Sequence, residues 1–156
     1  MSTSTKSVDP KVKKLAKDLR KDFPRSPRTK LAGYVLAARC LDKCRAEVCG
    51  SQGEYHYACP LDHQFLDFAG IDPEDFKNAV AEGRSDEEME NWICEHAKTG
   101  SREDVIRWNN KLRDLRLSEM DMDLQIFLEG YIDECIPKGR VVYHWFDVYD
   151  IEEKRL

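Results

Sequence analysis

Long apolar runs are missing from this 156-residue chain: Tyr34–Ala38 is among the longest, far short of the ~18 residues a membrane span requires. Residues 1–14 hold no apolar core of the kind a secretory leader carries, so residence in the cytoplasm is expected. Glycine-rich phosphate loops, a dinucleotide fingerprint, a nucleophile elbow and zinc-protease motifs are all missing, which removes the reaction classes those motifs serve. No internal repeat or low-complexity tract interrupts the chain. What is present suits a folded domain: 41% hydrophobic residues, with 6 Phe, 6 Tyr and 3 Trp to anchor a core. Residues 1–156 read as one domain, with 1–8 and 152–156 expected to fray.

The net charge of −5 hides an asymmetry. Residues 1–30 carry ten Lys or Arg against Asp9, Asp18 and Asp22. A basic start on an acidic body admits two readings: an anionic partner, or a segment that packs on the acidic remainder and offsets its self-repulsion. The second is preferred, and nucleic acid is disfavoured as a partner because an acidic body repels a polyanion. The six cysteines (Cys40, Cys44, Cys49, Cys59, Cys94, Cys135) read as reduced thiols, since a chain of this size needs no covalent staples.

Caps and stops point to an all-α fold of six to seven helices, with at most one short strand or hairpin near 53–59 or 140–149. Asp9-Pro10 opens a helix over Lys11–Lys21, whose Val12, Leu15, Ala16 and Leu19 form one stripe. Ser26-Pro27 repeats the device ahead of the longest helix, which Gly50 ends. Pro60, Asp72-Pro73, the Ser85/Glu88 box and Ser101 with Asp104 each start another. Leu117–Cys135 reads as helical, with Leu124, Phe127, Leu128, Tyr131 and Ile132 inward. Arg140–Asp150 has the strongest strand propensity, a packed helical turn being its alternative.

Several blocks then resemble the bacterial domain-of-unknown-function 5069 family: Phe23–Arg28, Leu31–Val35, Leu41–Ala46, Gly53–Tyr55, Tyr57–Asp62, Phe68–Asp72 and Trp145–Asp147. The resemblance spans nearly the whole chain. It implies a small, largely helical bacterial protein and brings no activity with it. Within it Cys59 belongs to the pattern, whereas Cys40, Cys44, Cys49, His56 and His63 stand where other residues are usual.

Three places can carry chemistry. Arg25-Ser26-Pro27-Arg28 puts two guanidinium forks beside an expected helix N-terminus, where free N–H groups and the helix dipole favour an anion. The competing reading is intramolecular pairing with acids such as Asp62 or Asp147. Cys59 at the start of a helix is a candidate nucleophile with His56 or His63 as base. Its alternative is a thiol packed under Tyr55 and Tyr57, with Asp62 as cap or ion-pair partner. Cys49, His56, Cys59 and His63 have zinc-ligand chemistry in a non-standard spacing, a weak metal candidate. Cys40 and Cys44 read as small core residues. Trp92, Trp108, Trp145, Phe127, Tyr131 and Phe146 read as core, a stacking pocket for an aromatic ligand being the alternative, and Asn109 is placed to orient a polar ligand beside Trp108.

These observations favour a non-enzymatic helical module that binds a small anion or a protein partner. Its expected ligand-binding residues are Arg25, Ser26, Arg28, Tyr34, Arg39 and Asp62. A thiol-dependent enzyme or redox sensor using Cys59 is the alternative, and nucleic-acid binding through the basic first helix is a third reading. No cofactor and no membrane association are expected, and a homodimer is compatible with the apolar helix faces.

Overall fold

A computed structural model describes residues 7–156. Its eight helices are α1 (Pro10–Leu15), α2 (Ala37–Cys49), α3 (Pro60–Ala69), α4 (Pro73–Ala81), α5 (Asp86–His96), α6 (Arg102–Asp114), α7 (Met122–Cys135) and α8 (Trp145–Glu152), with a 3-10 turn at Leu117–Glu119 before α7. None is long and apolar enough to cross a membrane. Of the fraying expected over residues 1–8, the part on residues 1–6 lies outside the described residues.

Local chemistry explains most helix starts. Asp72 caps α4 by accepting from the amides of Glu74 and Asp75. Ser85 and Ser101 each close a reciprocal capping box, with Glu88 on α5 and Asp104 on α6. Gly50 and Gly70 end α2 and α3 in the left-handed conformation, which costs glycine no Cβ clash.

α2 is the central element. All ten residues from Ala37 to Ala46 are buried, four of them charged: Arg39, Asp42, Lys43 and Arg45. Small side chains (Ala37, Ala38, Cys40, Cys44, Ala46) let neighbours approach on every side, and α1, α3 and α4 pack against it. Aromatic edges knit the surrounding core: Tyr34 meets Phe65, Phe65 meets Phe76, and Phe76 meets Trp92. Burial pushes the Cys40 and Cys44 thiols well above their ordinary range, the environment of packed, neutral core thiols.

Beyond the helix expected over Leu117–Cys135, which begins only at Met122, three segments depart from the sequence expectation. The first helix stops at Leu15 instead of Lys21, because the chain turns to pair with the loop after α2: the Leu19 amide donates to the Ser51 carbonyl at 2.9 Å. The helix expected to be the longest starts at Ala37, not behind Ser26-Pro27, and with 13 residues is shorter than the 14-residue α7. Residues 26–36 instead form tight turns, with Leu31 and Tyr34 exchanging both backbone hydrogen bonds and Ala32, Gly33 and Leu36 at positive φ. Asn109 pins this turn, accepting from the Val35 amide at 3.0 Å and donating to the Gly33 carbonyl at 2.8 Å. Both ends of its side-chain amide are engaged in that turn.

The strand-prone tail is the third. It makes one bridge, Arg116 with His144, and then becomes α8, which buries Trp145, Phe146, Val148, Asp150 and Ile151. Their spacing fits a helix buried on two sides, and that burial overrides the strand propensity of the individual residues. The end of the chain is held too. Glu153 is only 3% exposed and pairs with Arg39 from α2, where the sequence reading placed a frayed terminus.

Candidate functional site

The arginines nominated from the sequence are occupied by carboxylates. Arg25 grips Asp42 through Nε (3.1 Å) and Nη2 (3.1 Å) and reaches Asp86 through Nη1 (2.9 Å). Arg28 bridges Asp147 and Asp150, each at 2.6 Å, and Ser26 Oγ donates to Asp150 at 3.0 Å. Two features of this turn differ from the arrangement expected of an anion site. No helix begins there to supply free amides, and both forks are already matched by aspartates, two of them buried (Asp42 and Asp150). Of the two acids named as intramolecular partners, Asp147 serves Arg28, whereas Asp62 pairs elsewhere. Tyr34 donates to or accepts from Thr99 Oγ1 at 2.7 Å, away from those arginines.

A different recess gathers chemistry-bearing side chains. A cavity of about 330 Å3 lies between α2, the loop before α3, the start of α3, α7 and α8, within the size range of small-molecule sites. Its walls are mostly apolar and aromatic: Tyr55, Leu61, Leu124, Leu128, Tyr131, Trp145 and Tyr149, with Phe127 at its edge. α7 forms one wall and is thinly packed, so Phe127 is 62% exposed instead of inward as its spacing predicted. The reason is that α7 lies across a recess, not over filled core.

The polar side of the recess comes from α2. Lys43, buried to 3% exposure, points Nζ at Asp62 Oδ2 (2.9 Å) and at Cys59 Sγ (3.0 Å). Burial opposes charge on Lys43, but the Asp62 carboxylate outweighs it and holds the amine above its ordinary pKa, as an ammonium. Asp62 is fully buried and also accepts from the Ala58 amide at 2.9 Å, so it serves as ion-pair partner and ties down the turn before α3, whose N-cap makes no side-chain hydrogen bond. Its second oxygen, Oδ1, has no hydrogen-bond partner among the described residues.

Arg39, on the next turn back along α2, forms a two-pronged pair with Glu153 at 2.8 and 2.7 Å. Its guanidinium lies over the rings of Tyr149 and Tyr55. Its Nε is buried and has no acceptor among the described residues, an unmet donor that burial makes costly. Glu153 also accepts from the Tyr55 hydroxyl at 2.8 Å. Desolvation would raise the Glu153 carboxyl, but Arg39, with help from Arg155 and Tyr55, holds it below its ordinary value. Burial pushes the Tyr149 phenol up to about 12, so it stays protonated. Across the recess, the Tyr131 hydroxyl donates to Glu152.

Of the residues singled out from the sequence, Arg39, His56 and Cys59 line this recess, and Asp62 stands behind Lys43. Cys49 and His63 do not line it; His63 faces Asp67 at 3.1 Å. The proposed zinc set thus does not converge, and no group of three or more His, Cys, Asp or Glu side chains stands ready to hold a metal among the described residues. Lys43 was missed. The available signal was charge in a helix of small residues on every face, where any charged side chain must find a buried partner. The family model described as Domain of unknown function (DUF5069) matches residues 21–155. No curated protein matches the chain.

Proposed function

Because the chain belongs to the DUF5069 family, whose match contains every residue of the recess, we propose that this member is a non-enzymatic binding module whose ligand occupies the α2–α3–α7–α8 cavity. The observation that carries the reading is an aromatic-walled recess lined on its polar side by Arg39, whose buried Nε has no acceptor among the described residues. The ligand class follows from charge. Arg39 is already matched by Glu153 and Lys43 by Asp62, and Glu54 adds a negative group to the lining. A small, flat, mostly apolar molecule with one uncharged acceptor suits that environment better than the anion anticipated from Arg25 and Arg28.

Fluorescence titration with uncharged 1-anilinonaphthalene and its sulfonated analogue tests this. The uncharged probe binds saturably and more tightly than the sulfonate, and Leu124→Trp, which fills the recess, weakens it at least ~10-fold, in line with the energetic reach of one blocked apolar pocket. Ile126→Ser, on an exposed part of α7 outside the lining, leaves affinity unchanged. Binding that ignores Leu124→Trp, or that follows Ile126→Ser, overturns the assignment. Thiol chemistry at Cys59 is the second reading, favoured by one observation: the Lys43 ammonium touches Sγ inside the recess.

A further inference from the structure

We propose that Lys43 and Cys59 form an oxidative cross-link, an N–O–S bridge, when the protein meets a hydroperoxide. The pair is set for it. Nζ lies 3.0 Å from Sγ, close enough to admit one bridging oxygen with little movement. Both residues line a recess large enough to admit a small hydroperoxide. Asp62 touches the same Nζ at 2.9 Å, and its Oδ1 is buried without a donor among the described residues, so a proton acceptor stands beside the amine that must lose its protons.

The chemistry balances in two steps. Cys59 sulfur attacks the terminal peroxide oxygen, the O–O bond breaks, and the thiol proton leaves, by way of Lys43, with the departing oxygen. This gives a sulfenic acid and one alcohol, or water if the oxidant is hydrogen peroxide. A second hydroperoxide then accepts two electrons from the sulfenic acid and the neutral amine. The N–O bond forms, one N–H and the O–H are lost, and the peroxide leaves as alcohol and water. The extra proton of the ammonium passes to Asp62. Sulfur and nitrogen are oxidised, and two peroxides are reduced.

The product replaces a cation–carboxylate pair with a neutral tether at the polar side of the recess. Its formation stands on the geometry of the pair alone; its consequence, loss of ligand affinity on oxidation, rests on the recess being the ligand site.

Intact-mass spectrometry of the full chain after hydrogen peroxide treatment gives the test. The bridge adds about 14 Da, one oxygen gained and two hydrogens lost, against about 16 or 32 Da for sulfenic or sulfinic acid. Dithiothreitol reverses the gain, and proteolytic mapping joins the Lys43 peptide to the Cys59 peptide. Lys43→Arg, which keeps a cation opposite Asp62, and Cys59→Ser both abolish it. Peptide mapping of the unmutated chain decides the question even if a variant does not fold. A gain confined to 16 or 32 Da on Cys59, no gain at all, or a bridge mapping to other residues overturns the proposal. In the bridged protein, 1-anilinonaphthalene binds at least ~10-fold more weakly than in the reduced protein. A mapped bridge with undiminished binding overturns the regulatory consequence, while absent binding in the reduced protein overturns the ligand-site reading and leaves the bridge standing.

Discussion

Lys43 and Asp62 show how differently a buried pair behaves when halved and when removed. Both are buried, and their 2.9 Å contact is shared with the Ala58 amide on Asp62 and the Cys59 thiol on Lys43. Lys43→Met leaves a carboxylate in the interior facing an amide and nothing cationic, which costs ~3–5 kcal/mol of stability. Adding Asp62→Asn removes the charge while keeping a carbonyl oxygen for the Ala58 amide, and most of that loss returns. Urea unfolding of the two variants checks this; a double variant no more stable than Lys43→Met shows the damage to be one of packing. The sequence made Asp62 legible, as cap or ion-pair partner, because it sits in the first turn after Cys59-Pro60. Lys43 was harder to read: the small residues around it mark a buried helix, but they do not say which acid it meets. Its partner lies 19 positions away along the chain.

Elements follow the same division between local and distant causes. Capping residues act within four positions, so α4, α5 and α6 start where Asp72, Ser85 and Ser101 indicate. Ser85→Ala and Ser101→Ala each cost ~1 kcal/mol, measurable as additive losses because the two caps sit on different helices. The late start of α2 has a long-range cause. Ser26-Pro27 has the composition of a helix start, yet Asn109 of α6 takes the Val35 amide and the Gly33 carbonyl and holds the chain in a turn. Gly33 sits at φ +87° with open space where a Cβ would go. Gly33→Ala therefore costs conformational strain alone, ~1 kcal/mol, and thermal unfolding reads it directly. An unchanged melting temperature contradicts a left-handed turn at this position. The tail misled in the opposite sense: Val141, Val142, Tyr143 and Trp145 favour strands one by one, but no neighbouring strand exists for them among the described residues to pair with beyond His144.

At the scale of the molecule, charges distant in sequence close the chain on itself. Lys17, Arg25 and Arg28 from the basic start meet Asp42, Asp86, Asp147 and Asp150, and Arg39 meets Glu153 near the other end. The net +7 of residues 1–30 is thus partly taken up inside the fold, the packing reading of the charge asymmetry, and of the acids that receive it only Asp147 was singled out from the sequence. These pairs make stability depend on pH with a definite sign. Burial would raise the Asp86 carboxyl, but Arg45 and Arg25 overcome it, and both Asp86 and Glu153 lie below their ordinary values in the folded chain. A carboxyl depressed by folding contributes its full stabilisation above its unfolded pKa, about 4, and loses it as pH falls through the folded value. The melting temperature therefore holds steady from pH 7 to about 5 and drops as acid is added below about 4. Glu153→Gln lowers the neutral-pH plateau, because Arg39 stays buried without its counter-charge, and shallows the acid slope, because one depressed carboxyl no longer takes up a proton on unfolding. If the plateau falls but the slope stays the same, Glu153 is not ionised in the fold and the bond to Arg39 does not anchor the end of the chain electrostatically.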